Sequence, residues 1–139
     1  RDRASLMSLL RDAGLDTRAQ WVRYYGDCYG VDGAVPFREL WALPQRPEGL
    51  LITDDVLAVG VAHAMEELGL TAPDDLAVIT HANKHVPVTF PVDFTTSQFD
   101  LAQTCKAVCE MVEQLVTADS RPPRLHVVIE PRIVRGGTT

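Results

Sequence analysis

The chain has 139 residues, 46% of them hydrophobic and 23% charged, with a formal net charge of -6. That is the size of one domain, with enough apolar surface to offset chain entropy, so disorder is excluded as a class. No apolar run reaches the roughly 18–20 residues of a membrane span, and the acidic balance argues against a general nucleic-acid binder, whose phosphate contacts need clustered Lys and Arg. Three cysteines, Cys28, Cys105 and Cys109, stand without a CxxC spacing. A disulfide framework or four-ligand zinc site is therefore not expected, no metal or cofactor is implied, and a reducing cytoplasm is the simplest compartment.

In chain order, Leu6, Leu9, Leu10 and Ala13 recur at helical spacing before Gly14, which predicts an amphipathic helix over 2–13. Gln20–Tyr25 reads as a strand, 26–34 as a Gly/Asp-rich loop, and 35–43 as a short helix with Pro36 in its first turn. Gly49–Thr53 is a short apolar run of the kind a buried parallel strand shows. Thr53 or Asp54 can cap the next helix, in which Leu57, Val61, Ala64, Met65 and Leu68 share a face before Gly69. Leu76–Thr80 is a further strand, and 81–96, with Pro87 and Pro91, reads as irregular chain. The longest helix is expected over 97–117, capped by Thr96 or Ser97, with Leu101, Cys105, Val108, Val112 and Leu115 on one side. Leu125–Glu130 closes the series as a strand.

Alternation of helix and strand predicts an α/β fold, a mainly parallel sheet flanked by helices. The chain opens Arg1-Asp2-Arg3 with a helix already under way and no strand before it, so it is expected to be a piece of something longer. Ligands of open α/β sheets bind outside the carboxyl ends of the strands. That rule selects Tyr24–Asp27, Thr53–Asp55 and the trio His81, Asn83 and Lys84.

Each of these residues has a plainer role beside the functional one. Asp54 and Asp55 suit the start of a helix, where a carboxylate accepts free N–H groups. His81 reads equally as a solvated loop histidine, and His63 and His126 fit structural positions in a helix and a strand. Cys105 and Cys109 are i, i+4 neighbours, and Cys105 falls on the apolar stripe, where core packing is the expected role. No nucleophile elbow, phosphate loop or HExxH sequence is present, so no catalytic residue is proposed and an enzyme is not expected.

At residues 47–80 the run PEGLLITDDVLAVGVAHAMEELGLTAPDDLAVIT resembles the LacI/GalR family of bacterial transcriptional regulators. Asp54-Asp55 stand where that family has Asn-Asp, and Ala58, Gly60, Ala64, Gly69, Pro73 and Asp75 match as well. Phe94-Thr95-Thr96 is similar to the family's Leu-Thr-Thr, and Pro131–Thr138 to its closing P-x-x-L-V-x-R-x-S/T. The similarity runs in the same order and spacing over nearly the whole chain.

The resemblance implies a truncated periplasmic-binding-protein-like type I effector domain, mostly its C-terminal subdomain. On that reading 1–96 and 119–139 form the C-terminal subdomain, and the helix at 97–118 crosses back to an N-terminal subdomain that lies elsewhere. Operator DNA would be reached only through an upstream headpiece, and the effector would be a sugar-like or other small polar molecule. Asp54 occupies the place of an Asn that often bonds sugar hydroxyls. The family's Asp after the following strand aligns with Ala82, so a carboxylate is lost there, and His81 and Asn83 become the candidates for a different ligand. With Asp27 and Phe99 these make the expected effector site: Asp54, His81, Asn83, Asp27 and Phe99. The family also implies a homodimer, no membrane association and a cytoplasmic location. An uncovered apolar face on the long helix and an open strand slot should drive association with another copy or with the missing half. Two alternatives remain at this point. A periplasmic sugar-binding protein shares the fold and would carry a secretory signal. A phosphoacceptor domain would need its acidic pair after the first strand and a Lys after a later one, a pattern this chain does not follow.

Overall fold

The computed structural model describes residues 2–23, 33–84, 90–118 and 126–139. In chain order they form α1 (Asp2–Asp12), α2 (Ala34–Trp41), β1 (Gly49–Ile52), α3 (Asp55–Glu67), β2 (Ala77–Asn83), β3 (Thr95–Phe99), α4 (Leu101–Thr117) and β4 (Arg132–Val134), with one 3-10 turn at Ala19–Trp21. The four strands lie in the order β1-β2-β3-β4. β1, β2 and β3 are parallel and β4 runs antiparallel to β3, so the sheet is mixed, as an otherwise parallel sheet with one reversed edge strand often is.

Helix ends follow the sequence closely. α1 and α3 both stop at a left-handed glycine, Gly14 at φ 77° and Gly69 at φ 67°. In each case the next residue closes a long loop back onto the helix, Leu15 N–H to Leu10 O at 3.0 Å and Leu70 N–H to Met65 O at 2.9 Å. Glycine reaches that conformation without a Cβ penalty, which is why it stops a helix there. The α3 start is fixed by Asp54, whose Oδ1 accepts the Val56 N–H at 3.0 Å.

One face of the sheet is covered. Ile52, Val78, Thr80 and Thr96 are buried on it, beneath α3, and α2 packs on α3 in turn. Phe37, Val61, Met65, Leu76 and Phe94 join Ile52 and Val78 in the core. The chain entering α2 approaches α3 so closely at Gly33 that a Cβ there would overlap the Leu57 carbonyl group. The opposite face carries Leu51 and Ile133, 45% and 54% exposed, and β1 has no neighbour on its outer edge among the described residues. α4 buries none of its residues. The bare helix face that the sequence anticipates is therefore present.

Five expectations change. Gln20–Tyr25 does not begin as a strand: Ala19–Trp21 turns tightly, and the Trp21 indole donates to the Gln45 carbonyl at 2.9 Å, while Tyr24 and Tyr25 lie outside the described residues. The strand read over Leu76–Thr80 does not stop at Thr80, because β3 offers partners as far as Phe99, so His81 and Asn83 sit within β2. Residues 95–99 are strand and not chain entering a helix, so α4 begins at Leu101 and Asp100, not Thr96 or Ser97, caps it. Residues 126–130 are not a strand, and His126 is exposed. The register pairs Gln98 with Arg132, so one step further would set Pro131, which lacks an N–H, against the last residue of β3. Finally, Cys105 and Cys109 are both exposed and not in a core.

The chain's end is bound more tightly than its Gly-Gly composition suggests. Thr138 is fully buried, its hydroxyl donating to Val78 O at 2.6 Å and accepting Thr95 N–H at 2.9 Å. Its own carbonyl accepts Val78 N–H at 2.9 Å. It fills the ladder position beside β2 just before β3 begins pairing at Ile79–Thr95.

Candidate functional site

Parallel pairing puts the carboxyl ends of β1, β2 and β3 on one rim. Ile52 pairs with Thr80, so Asp54, two residues on, leaves the sheet level with Ala82. β2 continues past β1 and pairs His81 with Ser97 and Asn83 with Phe99. Burial alternates along β2: Val78, Thr80 and Ala82 point into the core, while Ile79, His81 and Asn83 face the other way and stay half-buried. Alternation is the ordinary consequence of a two-residue side-chain period.

Of the predicted site residues, His81, Asn83 and Phe99 are brought together. The His81 and Phe99 rings lie 5.1 Å apart at a tilt of 39°. Asp54 is at the same rim and already serves α3 as its cap, so the plainer of its two readings holds whatever else it does. Asp27 lies outside the described residues, as does Cys28. His63 on α3 is exposed and stands apart from the rim.

Beside this cluster is a recess of about 200 Å³ lined by Lys84, Gln98, Asp100, Gln103, Glu130 and Arg132. The Lys84 N–H donates to Phe99 O at 2.8 Å and its ammonium meets Asp100 Oδ2 at 2.7 Å. The other oxygen of Asp100 accepts the N–H groups of Ala102 and Gln103 at 3.1 and 3.3 Å. The Lys84 hydrogen bond first, and then the Gln103 N–H, hold the Asp100 carboxyl below the usual carboxylate range. Sequence reasoning names Lys84 as a strand tip but misses Asp100, Gln98, Glu130 and Arg132 as its neighbours. A signal exists for Asp100: Asp followed three residues later by Gln103 is a capping-box spacing.

Chemically the rim offers an imidazole, a carboxamide and an aromatic face. Such a set can hydrogen-bond a small polar molecule and pack against its flat or apolar side. Among the described residues no group of three or more His, Cys, Asp or Glu side chains is placed to hold a metal. No described helix is long and apolar enough to cross a membrane.

Residues 2–139 match the family model described as a periplasmic binding protein-like domain. Over 126 residues the chain is 27% identical to the HTH-type transcriptional repressor PurR of Mannheimia succiniciproducens, covering 90% of this chain and 37% of that protein. A transcriptional regulator LacI from Bacillus cereus subsp. cytotoxis superposes with a TM-score of 0.73 at 19% identity, over 98% of this chain and 48% of that one. The transcriptional regulator CelR in complex with cellobiose gives 0.76 at 18% identity, over 95% and 40%. The chain thus spans about two fifths of the length of the curated relatives it matches.

Proposed function

The chain belongs to the periplasmic-binding-protein-like domain family, in the form that LacI/GalR regulators carry, and on that premise we propose that it is the ligand-sensing and dimerisation portion of a transcriptional regulator, without a catalytic role. The effector is a small polar molecule, sugar-like or other, held at the strand rim by His81, Asn83 and Phe99, with Asp54 and Asp27 beside them. The observation that supports this most directly is the convergence of His81, Asn83 and Phe99 at the carboxyl ends of parallel strands, with the two rings 5.1 Å apart.

The sheet then forms one wall of a cleft between two subdomains. α4 is the helix that crosses to the other wall; because residues 97–99 belong to β3, the C-terminal subdomain takes in 1–100 with 119–139 and does not break at 96. Its exposed Leu101, Val108, Val112 and Leu115 suit that role. Effector binding favours one relative angle of the two walls because it touches both, and the regulator's affinity for operator DNA changes as a consequence of the differential contact in the two states. DNA is contacted by another part of the regulator, a homodimer in the cytoplasm.

A thermal-shift screen of the intact protein with sugars, nucleosides and small acids tests this reading. A compound that stabilises the protein should lose its shift in His81→Ala and Asn83→Ala. For Asp54 the substitution is Asp54→Asn, which keeps a capping oxygen, because Asp54→Ala would also weaken α3. A stabilising compound whose shift survives both the His81 and the Asn83 substitutions would place the site elsewhere.

A further inference from the structure

α4 leaves the sheet at one point and buries nothing along its length. Among the described residues its bonds to the sheet lie at the rim. The Lys84 backbone ties β2 to Phe99 O at the end of β3, and its side chain reaches Asp100 at 2.7 Å, the residue that caps α4 through two backbone N–H groups. One lysine therefore bonds both the last residue of β3 and the first fixed point of α4. We propose that Lys84 is a positioning residue, an electrostatic latch that sets the direction in which α4 departs from the sheet.

Three observations carry this. First, β3 ends at Phe99 and α4 begins at Leu101, so Asp100 is the whole connection between them, and its backbone carbonyl and carboxylate are both engaged, the carbonyl by Thr104 N–H at 3.0 Å. Second, among the described residues the other charged groups lining the recess are Glu130 and Arg132 of the returning chain. They offset each other, so neither strongly favours breaking the bridge. Third, the latch directly follows Asn83 in sequence and is bonded to Phe99, two of the rim residues proposed to hold the effector. That last link rests on the proposed function; the latch itself does not.

The test compares Lys84→Met with Lys106→Met in the intact protein. Lys106 pairs with Glu110 at 3.8 Å on α4, both side chains being more than half exposed, and serves as the control for loss of a lysine on this helix. Hydrogen exchange at the Ala102, Gln103 and Thr104 amides should speed up about two- to fivefold in Lys84→Met, the range expected for one surface ion pair acting at a helix start, and stay within error in Lys106→Met. Spin labels at Glu48→Cys and Glu113→Cys in a cysteine-free background should give a broader or displaced distance distribution in Lys84→Met alone. The Asp100 carboxyl, followed by carbon NMR, should titrate higher in that variant and unchanged in the control. Unaltered exchange, distance and Asp100 titration in Lys84→Met would overturn the latch. An altered latch in a protein whose rim variants still bind every stabilising compound would refute the effector site and leave the latch standing.

Discussion

α3 and α4 begin with the same device. Each starts at an aspartate just past the carboxyl end of a parallel strand, Asp54 after β1 and Asp100 after β3; Asp54 accepts one backbone N–H of the first turn and Asp100 accepts two. Beyond that first turn the two helices diverge. α3 buries Ala58, Gly60, Val61, Ala62, Ala64 and Met65, small residues for the most part, which let it lie close to both the sheet and α2. α4 buries none, although Leu101, Val108, Val112 and Leu115 fall on one side of it. A capped start decides where a helix begins, and only the neighbours available decide whether its apolar face is used. α3 belongs to the packed body of the described fold; α4 carries its apolar face outward.

That contrast can be broken by measurement. The largest effect is expected in the α2–α3 body: Phe37→Ala should cost about 3–5 kcal/mol in urea unfolding, because a buried ring stacked near Trp41 leaves a cavity. Gly33→Ala should cost about 1–3 kcal/mol by forcing the Leu57 carbonyl away, a backbone clash that no rotamer relieves. Thr138→Val should cost a similar amount, about 1–3 kcal/mol, since Val78 O and Thr95 N–H lose a buried partner that a methyl group cannot replace. At the other extreme, Val112→Ala on α4 should change the stability of the 139-residue chain by less than about 0.5 kcal/mol. A loss for Val112→Ala as large as that for Phe37→Ala would erase the distinction.

Acid sharpens it further. The Asp100 carboxyl is held low by Lys84 and then by the Gln103 N–H, and the Asp75 carboxyl by the Thr71 N–H and hydroxyl. In both cases the folded chain gives up its proton more readily than the unfolded one, so stability rises with pH across that window. Their contribution is complete at neutral pH and is lost as pH falls through the lowered values. Asp100→Asn and Asp75→Asn should each flatten the acid limb of a stability–pH profile.

Local signals make much of this legible from sequence. The two glycine stops, the Asp54 start, the apolar β1 and the parallel order all come from patterns a few residues long. The errors fall where long-range pairing decides. β2 runs on to Asn83 only because β3 lies beside it, and β3 itself, Thr-Thr-Ser-Gln-Phe, lacks the apolar run that announces a buried strand. The fold of residues 132–138 depends on partners more than thirty residues away, and no local pattern marks Thr138 as a buried ladder residue. The candidate site is readable in part. His81 and Asn83 can be found because strand tips gather ligands, Phe99 enters only through the family resemblance because 97–117 reads as helix, and Glu130 and Arg132 reach the recess by tertiary return of the chain.

The central claim is that a small molecule is held at this rim. Histidine side-chain NMR of the intact protein, with a compound that raises its melting temperature, tests it most directly. The account predicts that the His81 ring signals move together with those of Phe99, while the exposed His63 and His126 stay put. Movement of His63 or His126 with His81 silent would contradict it.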